Sequence, residues 1–219
     1  MKYSGVTDCY RKDTKRMAEK SALLVVDMQI DFCPGGSLAV GEGDSIIPVI
    51  NRYIALFSTN GLPVIATRDW HPPVTRHFRE FGGLWPAHCV QGSAGSRFHP
   101  DITFPGNVVV VSKGMDPDRD AYSSFQANLE TGLPFQDYLK IRGIDALYIC
   151  GLATDYCVRN TSLDALGAGF SVTVLRDAIK GVDLNVGDSA KALVEITKAG
   201  GLLADLAGVE AIFTIEKGQ

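Results

Sequence analysis

Asp27, Asp69, Lys113 and Cys157 each follow a short apolar segment of the sequence. Together they offer carboxylates that can accept a proton, an ammonium group that can stabilise an anion, and a thiol that can attack a carbonyl carbon. Each residue alone is also compatible with a helix cap, a surface charge or a core position. Four of them at corresponding places favour one shared site and predict nucleophilic catalysis by a cysteine.

Cys157 is the candidate nucleophile. It lies in the first turns of the helix predicted after the apolar segment that ends at Cys150. Exposed amides and the positive end of a helix stabilise a thiolate, so we expect a lowered thiol pKa. Backbone N–H groups of the same turn are placed to bind an oxyanion. Cys150, inside its apolar segment, is expected to be a core residue.

Three of the four histidines, His71, His77 and His88, fall within eighteen residues, and Asp69 precedes the first of them in an Asp-x-His arrangement. Because side chains alternate along an extended segment, Asp69 and His71 point to the same side. A carboxylate with two or three imidazoles suits one divalent metal with water positions left open; zinc is favoured, and iron and manganese are the alternatives. His99 is expected to be structural.

Continuous apolar segments alternate with segments of helical periodicity. The apolar segments predict six strands, at residues 22–26, 62–66, 108–111, 146–150, 171–175 and 211–213. The periodic segments predict helices at residues 46–57, 135–142, 161–166 and 189–199. We therefore predict a three-layer α/β/α domain with a mostly parallel six-stranded central sheet. Its ligand is expected at the carboxyl ends of the strands, where residues 68–107 form a long, functional loop.

The chain has 219 residues, 46% of them hydrophobic and 21% charged, which is typical of one sizeable globular domain. Residues 1–20 carry six Lys/Arg and three Asp/Glu without an apolar core. We expect residues 1–20 to be a polar N-terminal extension and residues 21–219 to form a single domain.

The formal net charge of −4 provides no electrostatic footprint for nucleic acid or for an anionic membrane. No apolar segment approaches the roughly 20 residues that span a bilayer. The five cysteines are irregularly spaced, so we interpret them as reduced thiols of a cytoplasmic protein. The oligomeric state is left open, a homo-oligomer included.

Seven motifs occur in order between Asp27 and Val158, within a match that runs from about residue 23 to residue 203, most of the chain. They are Asp27-x-Gln29-x-Asp31-Phe32, Gly35-Gly36-Ser37-Leu38-Ala39-Val40, Asp69-Trp70-His71-Pro72, Trp85-Pro86-x-His88-Cys89-Val90, Lys113-Gly114, Tyr122-Ser123-x-Phe125 and Gly151-Leu152-Ala153-Thr154-Asp155-Tyr156-Cys157-Val158. In these motifs the chain resembles the nicotinamidase/pyrazinamidase branch of the isochorismatase-like cysteine hydrolases. The third and fourth motifs are the specific part, since other branches generally lack this metal cluster.

The resemblance implies a catalytic triad of Asp27, Lys113 and Cys157. It also implies a cis peptide between Leu152 and Ala153 and an oxyanion hole made by the amides of Ala153 and Cys157. The implied metal ligands are Asp69, His71 and His88, with His77 where relatives place a further or water-mediated ligand. The aromatic residues that would line the pocket and stack on a pyridine ring are Phe32, Trp85 and Tyr122.

The implied reaction converts nicotinamide, a small-molecule substrate, to nicotinate and ammonia through a cysteine thioester, as in NAD salvage. The alternative is another small-amide or N-carbamoyl amidohydrolase of the same superfamily. A vinyl-ether hydrolase of the isochorismatase type is disfavoured, because that chemistry does not need the nucleophile. A non-catalytic metal-binding protein of this fold would show no turnover. A zinc peptidase would carry a His-Glu-x-x-His helix, and a thiol redox protein would carry Cys-x-x-Cys. The sequence contains neither motif, which disfavours both classes.

Overall fold

A seven-stranded sheet forms the centre of the part of the chain that the computed structural model describes, residues 20–217. The strands are β1 Ser21–Val26, β2 Val64–Asp69, β3 Val109–Lys113, β4 Asn128–Leu129, β5 Ala146–Leu152, β6 Ser171–Lys180 and β7 Leu202–Ala204. Their order is β4-β3-β2-β1-β5-β6-β7. All neighbouring pairs are parallel except β3 and β4, which are antiparallel.

Helices cover both faces of this sheet. The α-helices of the described residues are α1 Ile47–Thr59, α2 Phe135–Ile141, α3 Arg159–Gly167, α4 Asp188–Lys198 and α5 Leu206–Lys217. Alternate residues of the fully buried β1 enter two separate cores. Leu23 and Val25 belong to the core under α1 and α5, whereas Ala22 and Leu24 belong to the core under α2, α3 and α4. The predicted three-layer α/β/α class is confirmed.

The predicted strand at residues 211–213 is wrong. This segment lies inside α5, where Leu206, Val209 and Phe213 are buried at helical spacing. The edge strand is instead β7, whose three residues directly follow Gly200 and Gly201. The two-residue strand β4 was not predicted, since two residues carry no periodicity. The sheet therefore has seven strands rather than six.

The strand order places the functional side chains at one edge of the sheet. β2, β3 and β4 lie on one side of β1, and β5, β6 and β7 lie on the other, so β1 is next to a topological switch point. Ligands of such sheets bind beyond the carboxyl ends of the strands at this point. Asp27 follows β1, Asp69 ends β2, Lys113 ends β3, and Ala153 follows β5.

Backbone hydrogen bonds between its own distant parts hold the long connection between β2 and β3 in place. The His71 amide donates to the Cys89 carbonyl at 3.0 Å, and the Gln91 amide donates to the His71 carbonyl at 2.9 Å. Phe78 and Trp85 form a second isolated bridge. Apart from one short 3-10 turn at Arg79–Phe81 the connection is irregular, as predicted, and these pairings hold its distant parts side by side.

The predicted N-terminal extension lies outside the described residues except for Lys20, so the predicted domain division stays a prediction. Between residues 20 and 217, no helix combines the length and the apolar character needed to cross a bilayer. Cys33, Cys89, Cys150 and Cys157 carry free thiols and are buried.

Candidate active site

Lys113 contacts the other predicted catalytic side chains. Its Nζ lies 2.8 Å from Asp27 Oδ2 and donates to Cys157 Sγ at 3.5 Å. It also donates a short hydrogen bond to Asp69 Oδ1. All four side chains are buried, so two carboxylates rather than water balance the ammonium charge. The structure therefore brings Asp27, Lys113 and Cys157 together.

Burial and charge set the protonation of this group. Burial raises the pKa of Asp27, although Lys113 opposes the shift. Burial alone would lower the pKa of Lys113, but Asp27 and Asp69 outweigh it and raise that pKa well above its ordinary value. For Asp69, burial is outweighed by Lys113 and His71, and the pKa is lowered. Lys113 is consequently a fixed cation between two carboxyl groups.

The predicted lowering of the Cys157 thiol pKa is wrong. Burial raises this pKa well above its ordinary value, and the Lys113 charge opposes the shift only in part. Asp27 and Asp69 also favour the neutral thiol. The helix end stabilises the thiolate too weakly to offset this shift, because Cys157 is only 8% exposed and the Lys113 charge is shared with two carboxyl groups. Cys157 therefore rests as a thiol that needs a base, and Asp27 with its raised pKa suits that role.

β2 holds Asp27 in place. Thr67 Oγ1 donates to Asp27 Oδ1 at 2.6 Å, and the Asp27 amide donates to the Thr67 carbonyl at 3.2 Å. Asp27 has φ 49°, in the left-handed region that aspartate enters more readily than most residues. With Oδ1 bound to Thr67, Oδ2 is left to face Lys113.

The turn that carries Cys157 directly follows β5. The Leu152–Ala153 peptide is cis, as the resemblance implied. Thr154–Val158 then form a π-helical turn that continues into α3. The Ala153 carbonyl accepts the Tyr156 amide at 3.1 Å, which closes the turn. This arrangement places Ala153 and Cys157 in the wall of one cavity.

The three histidines of the long connection form a buried cluster. His71, His77 and His88 each offer a ring nitrogen within 4.8 Å of the other two. His71 Nε2 is buried and has no hydrogen-bond partner in the part of the chain that the structure describes. A buried polar atom left without a partner is costly in a purely structural role. The cluster therefore fits a metal site.

Each histidine of the cluster is oriented through its other nitrogen. Every Nδ1 lies against an oxygen outside the cluster: the Gly114 carbonyl for His71 at 2.9 Å, the Asp120 carboxylate for His77 at 2.5 Å, and the Pro86 carbonyl for His88 at 2.7 Å. An imidazole that donates through Nδ1 keeps its lone pair on Nε2, which is the arrangement of metal-binding histidines.

Asp69 lies between the histidine cluster and the catalytic group. Its Oδ2 is 3.7 Å from His71 Nε2 and 3.9 Å from His88 Nε2, whereas Oδ1 accepts from Lys113. This oxygen fits a fourth ligand beside the imidazoles. His77, whose role the resemblance left less secure, lies inside the cluster.

The imidazoles of His77 and His88 are in the form that binds metals. Burial lowers the pKa of His88 to about 4, with Asp69 opposing the shift. Burial also lowers the pKa of His77. Both rings are therefore neutral at neutral pH, and no proton competes with a metal for the free nitrogen.

One cavity borders both the catalytic group and the histidine cluster. The predicted aromatic residues Phe32, Trp85 and Tyr122 all line it. Trp85 Nε1 donates to the Tyr122 hydroxyl at 2.8 Å, which fixes the two rings relative to each other. The remaining wall is formed by Leu38, Ala39, Val40, Ala121, Leu152, Tyr156 and Val182. A mainly apolar cavity that also borders a few polar and charged groups suits a small aromatic amide.

Gln29 and Asp31 position the site, and sequence reasoning missed this role. Gln29 binds both backbone groups of Asp69: Oε1 accepts the amide and Nε2 donates to the carbonyl, each at 2.8 Å. Asp31 accepts the amides of Ser37 and Cys89 at 3.2 and 2.7 Å. Both residues occur in the first motif, but their partners become visible only in the folded chain.

Asp155 and Tyr156 were missed as well. The Tyr156 ring meets the edge of Trp85 with the centroids 5.3 Å apart. The Asp155 carboxylate accepts the amides of Val182 and Asp183 at 2.9 and 2.8 Å. It therefore holds the segment after β6 against the cavity.

Comparison with known proteins decides the family. The family model of the Isochorismatase domain matches residues 21–207. The chain belongs to the isochorismatase family. One relative, the nicotinamidase of Escherichia coli (strain K12), is 42% identical over 207 residues, which cover 86% of this chain and 96% of that protein.

Solved structures resemble this isochorismatase-family chain over most of its length. The pyrazinamidase of Pyrococcus horikoshii in complex with zinc has a TM-score of 0.79 and 46% identity, and the match covers 85% of this chain and 99% of that one. PnC1 from L. infantum in complex with nicotinate has a TM-score of 0.77 and 34% identity, with 87% and 95% covered.

Proposed function

We propose that this chain is a nicotinamidase, which hydrolyses nicotinamide to nicotinate and ammonia with Cys157 as the nucleophile. The observation that carries the proposal is the cavity, which borders Asp27 and Cys157 of the catalytic group as well as His77 and His88 of the cluster. The similarity to the E. coli nicotinamidase and to the nicotinate complex from L. infantum supports this substrate.

The first half of the reaction forms a thioester. Asp27 takes the Cys157 proton as sulfur attacks the carboxamide carbon, and Lys113 stabilises the sulfur by its charge. The amides of Ala153 and Cys157 receive the oxyanion. The C–N bond then breaks, the Asp27 proton passes to the leaving nitrogen, and ammonia departs.

The second half hydrolyses the thioester. A water molecule attacks the same carbon as Asp27 removes one of its protons, and the amides of Ala153 and Cys157 again receive the oxyanion. The C–S bond breaks, nicotinate leaves, and the proton on Asp27 returns to Cys157. The raised pKa of Asp27 suits a group that accepts and releases a proton in each half.

The metal proposed for the site is zinc, held by His71, His77 and His88 with Asp69 as a further ligand. The unpartnered Nε2 of His71 and the zinc in the similar P. horikoshii structure support this assignment. When bound, zinc supplies a Lewis acid that can hold the pyridine nitrogen. The aromatic residues position the ring by stacking: Phe32, Trp85 and Tyr122.

A reducing compartment is part of the proposal. The four described cysteines are free and buried, which supports a cytoplasmic location. The role in NAD salvage follows from the proposed conversion of nicotinamide to nicotinate.

Ammonia release by the purified full-length chain tests the function. Nicotinamide, pyrazinamide and an N-carbamoyl amino acid are compared, before and after chelation and after zinc is restored. We expect turnover of the two ring amides, loss on chelation and recovery with zinc. Turnover of the N-carbamoyl substrate alone would favour the alternative amidohydrolase activity over the nicotinamidase. No turnover of any amide would contradict both proposed activities.

A further inference from the structure

The loop of residues 114–122 orients two of the three clustered histidines. At its start the Gly114 carbonyl accepts from His71 Nδ1, and near its end the Asp120 carboxylate contacts His77 Nδ1. The loop directly follows Lys113, and its last two residues line the cavity. One segment therefore connects the catalytic lysine, two histidines and the substrate pocket.

Asp120 is a carboxylate at the outer side of a buried ring. Its Oδ1 lies 2.5 Å from His77 Nδ1, and the side chains are 55% and 6% exposed, respectively. A carboxylate that accepts from one imidazole nitrogen fixes the tautomer and increases the basicity of the other nitrogen. In His77 that other nitrogen is the one available to the histidine cluster.

Hydrogen bonds to two of its carbonyl groups hold the backbone of the loop near Asp120. Gln126 Nε2 donates to the Asp120 carbonyl at 3.3 Å. Earlier in the loop the Pro117 carbonyl accepts the Arg76 amide at 2.9 Å and the Thr75 hydroxyl at 3.1 Å. The two Pro117 bonds tie the loop to the residues immediately before His77, which keeps the backbone of Asp120 close to the ring.

We propose that Asp120 is a positioning residue that increases the zinc affinity of the cluster by acting through His77. The proposal rests on the metal site of the proposed function and adds a residue that is not itself a ligand. Asp118, two residues earlier in the same loop, offers a contrast: it faces Arg76 at 3.4 Å, and both side chains are largely exposed.

Zinc affinity of the full chain, measured by competition with a chromophoric chelator, tests the proposal without any assay of activity. Asp120→Ala is expected to weaken zinc binding by about 10- to 100-fold. Asp120→Asn keeps an oxygen acceptor without the charge and is expected to fall between Asp120→Ala and the wild type. Asp118→Ala removes the same charge from the same loop and is expected to match the wild type within about 2-fold.

A double substitution distinguishes action through His77 from a general electrostatic effect. In a His77→Ala background, Asp120→Ala is expected to cause no further loss of zinc affinity. The absorption bands of the cobalt-loaded protein provide a second readout. We expect Asp120→Ala to shift these bands and Asp118→Ala to leave them unchanged.

The outcomes separate this proposal from the proposed function. Unchanged zinc affinity in Asp120→Ala, or an equal loss in Asp118→Ala, would overturn the role of Asp120 and leave the amidase assignment intact. A further full loss in the His77→Ala background would also overturn it. If the wild type binds zinc and Asp120→Ala weakens that binding as expected, the role of Asp120 is supported. If the same wild type releases no ammonia, the nicotinamidase assignment is contradicted. A wild-type chain that binds no zinc would overturn both this proposal and the metal site.

Discussion

Lys113 is buried at the end of β3 with Asp27, Asp69 and Cys157 as its neighbours. Removing one partner of a buried charge group costs about 3–5 kcal/mol, because the remaining charges stay in a medium that solvates them poorly. Lys113→Met is therefore expected to lower the free energy of unfolding by about this amount, measured by urea denaturation, and to abolish turnover.

Lys180→Met is the matched control. Lys180 pairs with Glu42 at 3.1 Å on the surface, where ion pairs contribute about 0–1 kcal/mol. Losses of similar size in the two variants would contradict the buried charge group described for Lys113.

Gly114 illustrates how closely the backbone approaches the histidine cluster. Its φ is +70°, and an added Cβ would lie 2.4 Å from His71 Cε1. Gly114→Ala is expected to displace the His71 ring and reduce zinc affinity by about 10-fold or more. Gly132 has φ +83° with nothing within 4 Å of an added Cβ, so Gly132→Ala reproduces only the backbone strain, about 1–2 kcal/mol. Equal zinc affinities in the two variants would contradict the account.

At the residue scale, the sequence predicted which side chains lie together better than it predicted their protonation states. The Asp, Lys and Cys at the strand ends and the grouped histidines could be predicted because their types and spacing are visible in the chain. The thiol pKa could not, because it depends on how fully Cys157 is buried and on the sharing of Lys113 between two carboxylates. Asp120 and Gln29 were missed because their partners lie some 40 residues away.

At the element scale, the segment after β6 is held against the cavity by Asp155. Removal of its carboxylate releases the Val182 and Asp183 amides and loosens the wall beside the substrate. Asp155→Ala is therefore expected to raise KM for nicotinamide by several-fold with a smaller effect on kcat, in steady-state measurements. Asp164→Ala, which changes an exposed acid on α3, is expected to alter neither constant. An unchanged KM in Asp155→Ala would contradict this role.

Elements with strong patterns were predicted and weak ones were not. β1 and β5 are continuous apolar segments that both faces of the sheet bury, and α1 repeats its apolar residues at helical spacing. Residues 211–213 were misassigned because a short apolar segment fits a strand and a helix equally well. Val209 and Phe213, four residues apart, are buried against the same core, which fits a helix and not a strand.

At the scale of the whole molecule, buried thiols make the fold sensitive to alkaline pH. Burial, with a smaller effect of the Asp44 charge, raises the pKa of Cys33 from an ordinary value of 9.0 to about 11. Above pH 9 the unfolded chain therefore loses this proton while the folded chain retains it, so stability falls as pH rises until the folded thiol ionises near pH 11. Between pH 9 and pH 11 the Cys33 thiol lowers the free energy of unfolding by on the order of 2 kcal/mol.

Denaturation of the wild type and Cys33→Ala across pH 8–11 measures this contribution. The variant is expected to show a shallower decline above pH 9, and some decline should remain because burial also raises the pKa values of Cys89 and Cys150. The slopes are compared rather than the absolute values, since the substitution also leaves a small cavity. Parallel curves would contradict the assignment.

In the proposed enzyme, Cys157 performs the covalent chemistry while the histidine cluster holds the metal. Ammonia release from nicotinamide by the zinc-loaded wild type, Cys157→Ala and Cys150→Ala tests it most directly, with zinc content measured in each. Cys150 is a buried thiol in the preceding strand and controls for loss of a cysteine. We expect Cys157→Ala to lose at least about 10³-fold in turnover at unchanged zinc content, while Cys150→Ala stays active. Turnover of Cys157→Ala near the wild-type rate would contradict it.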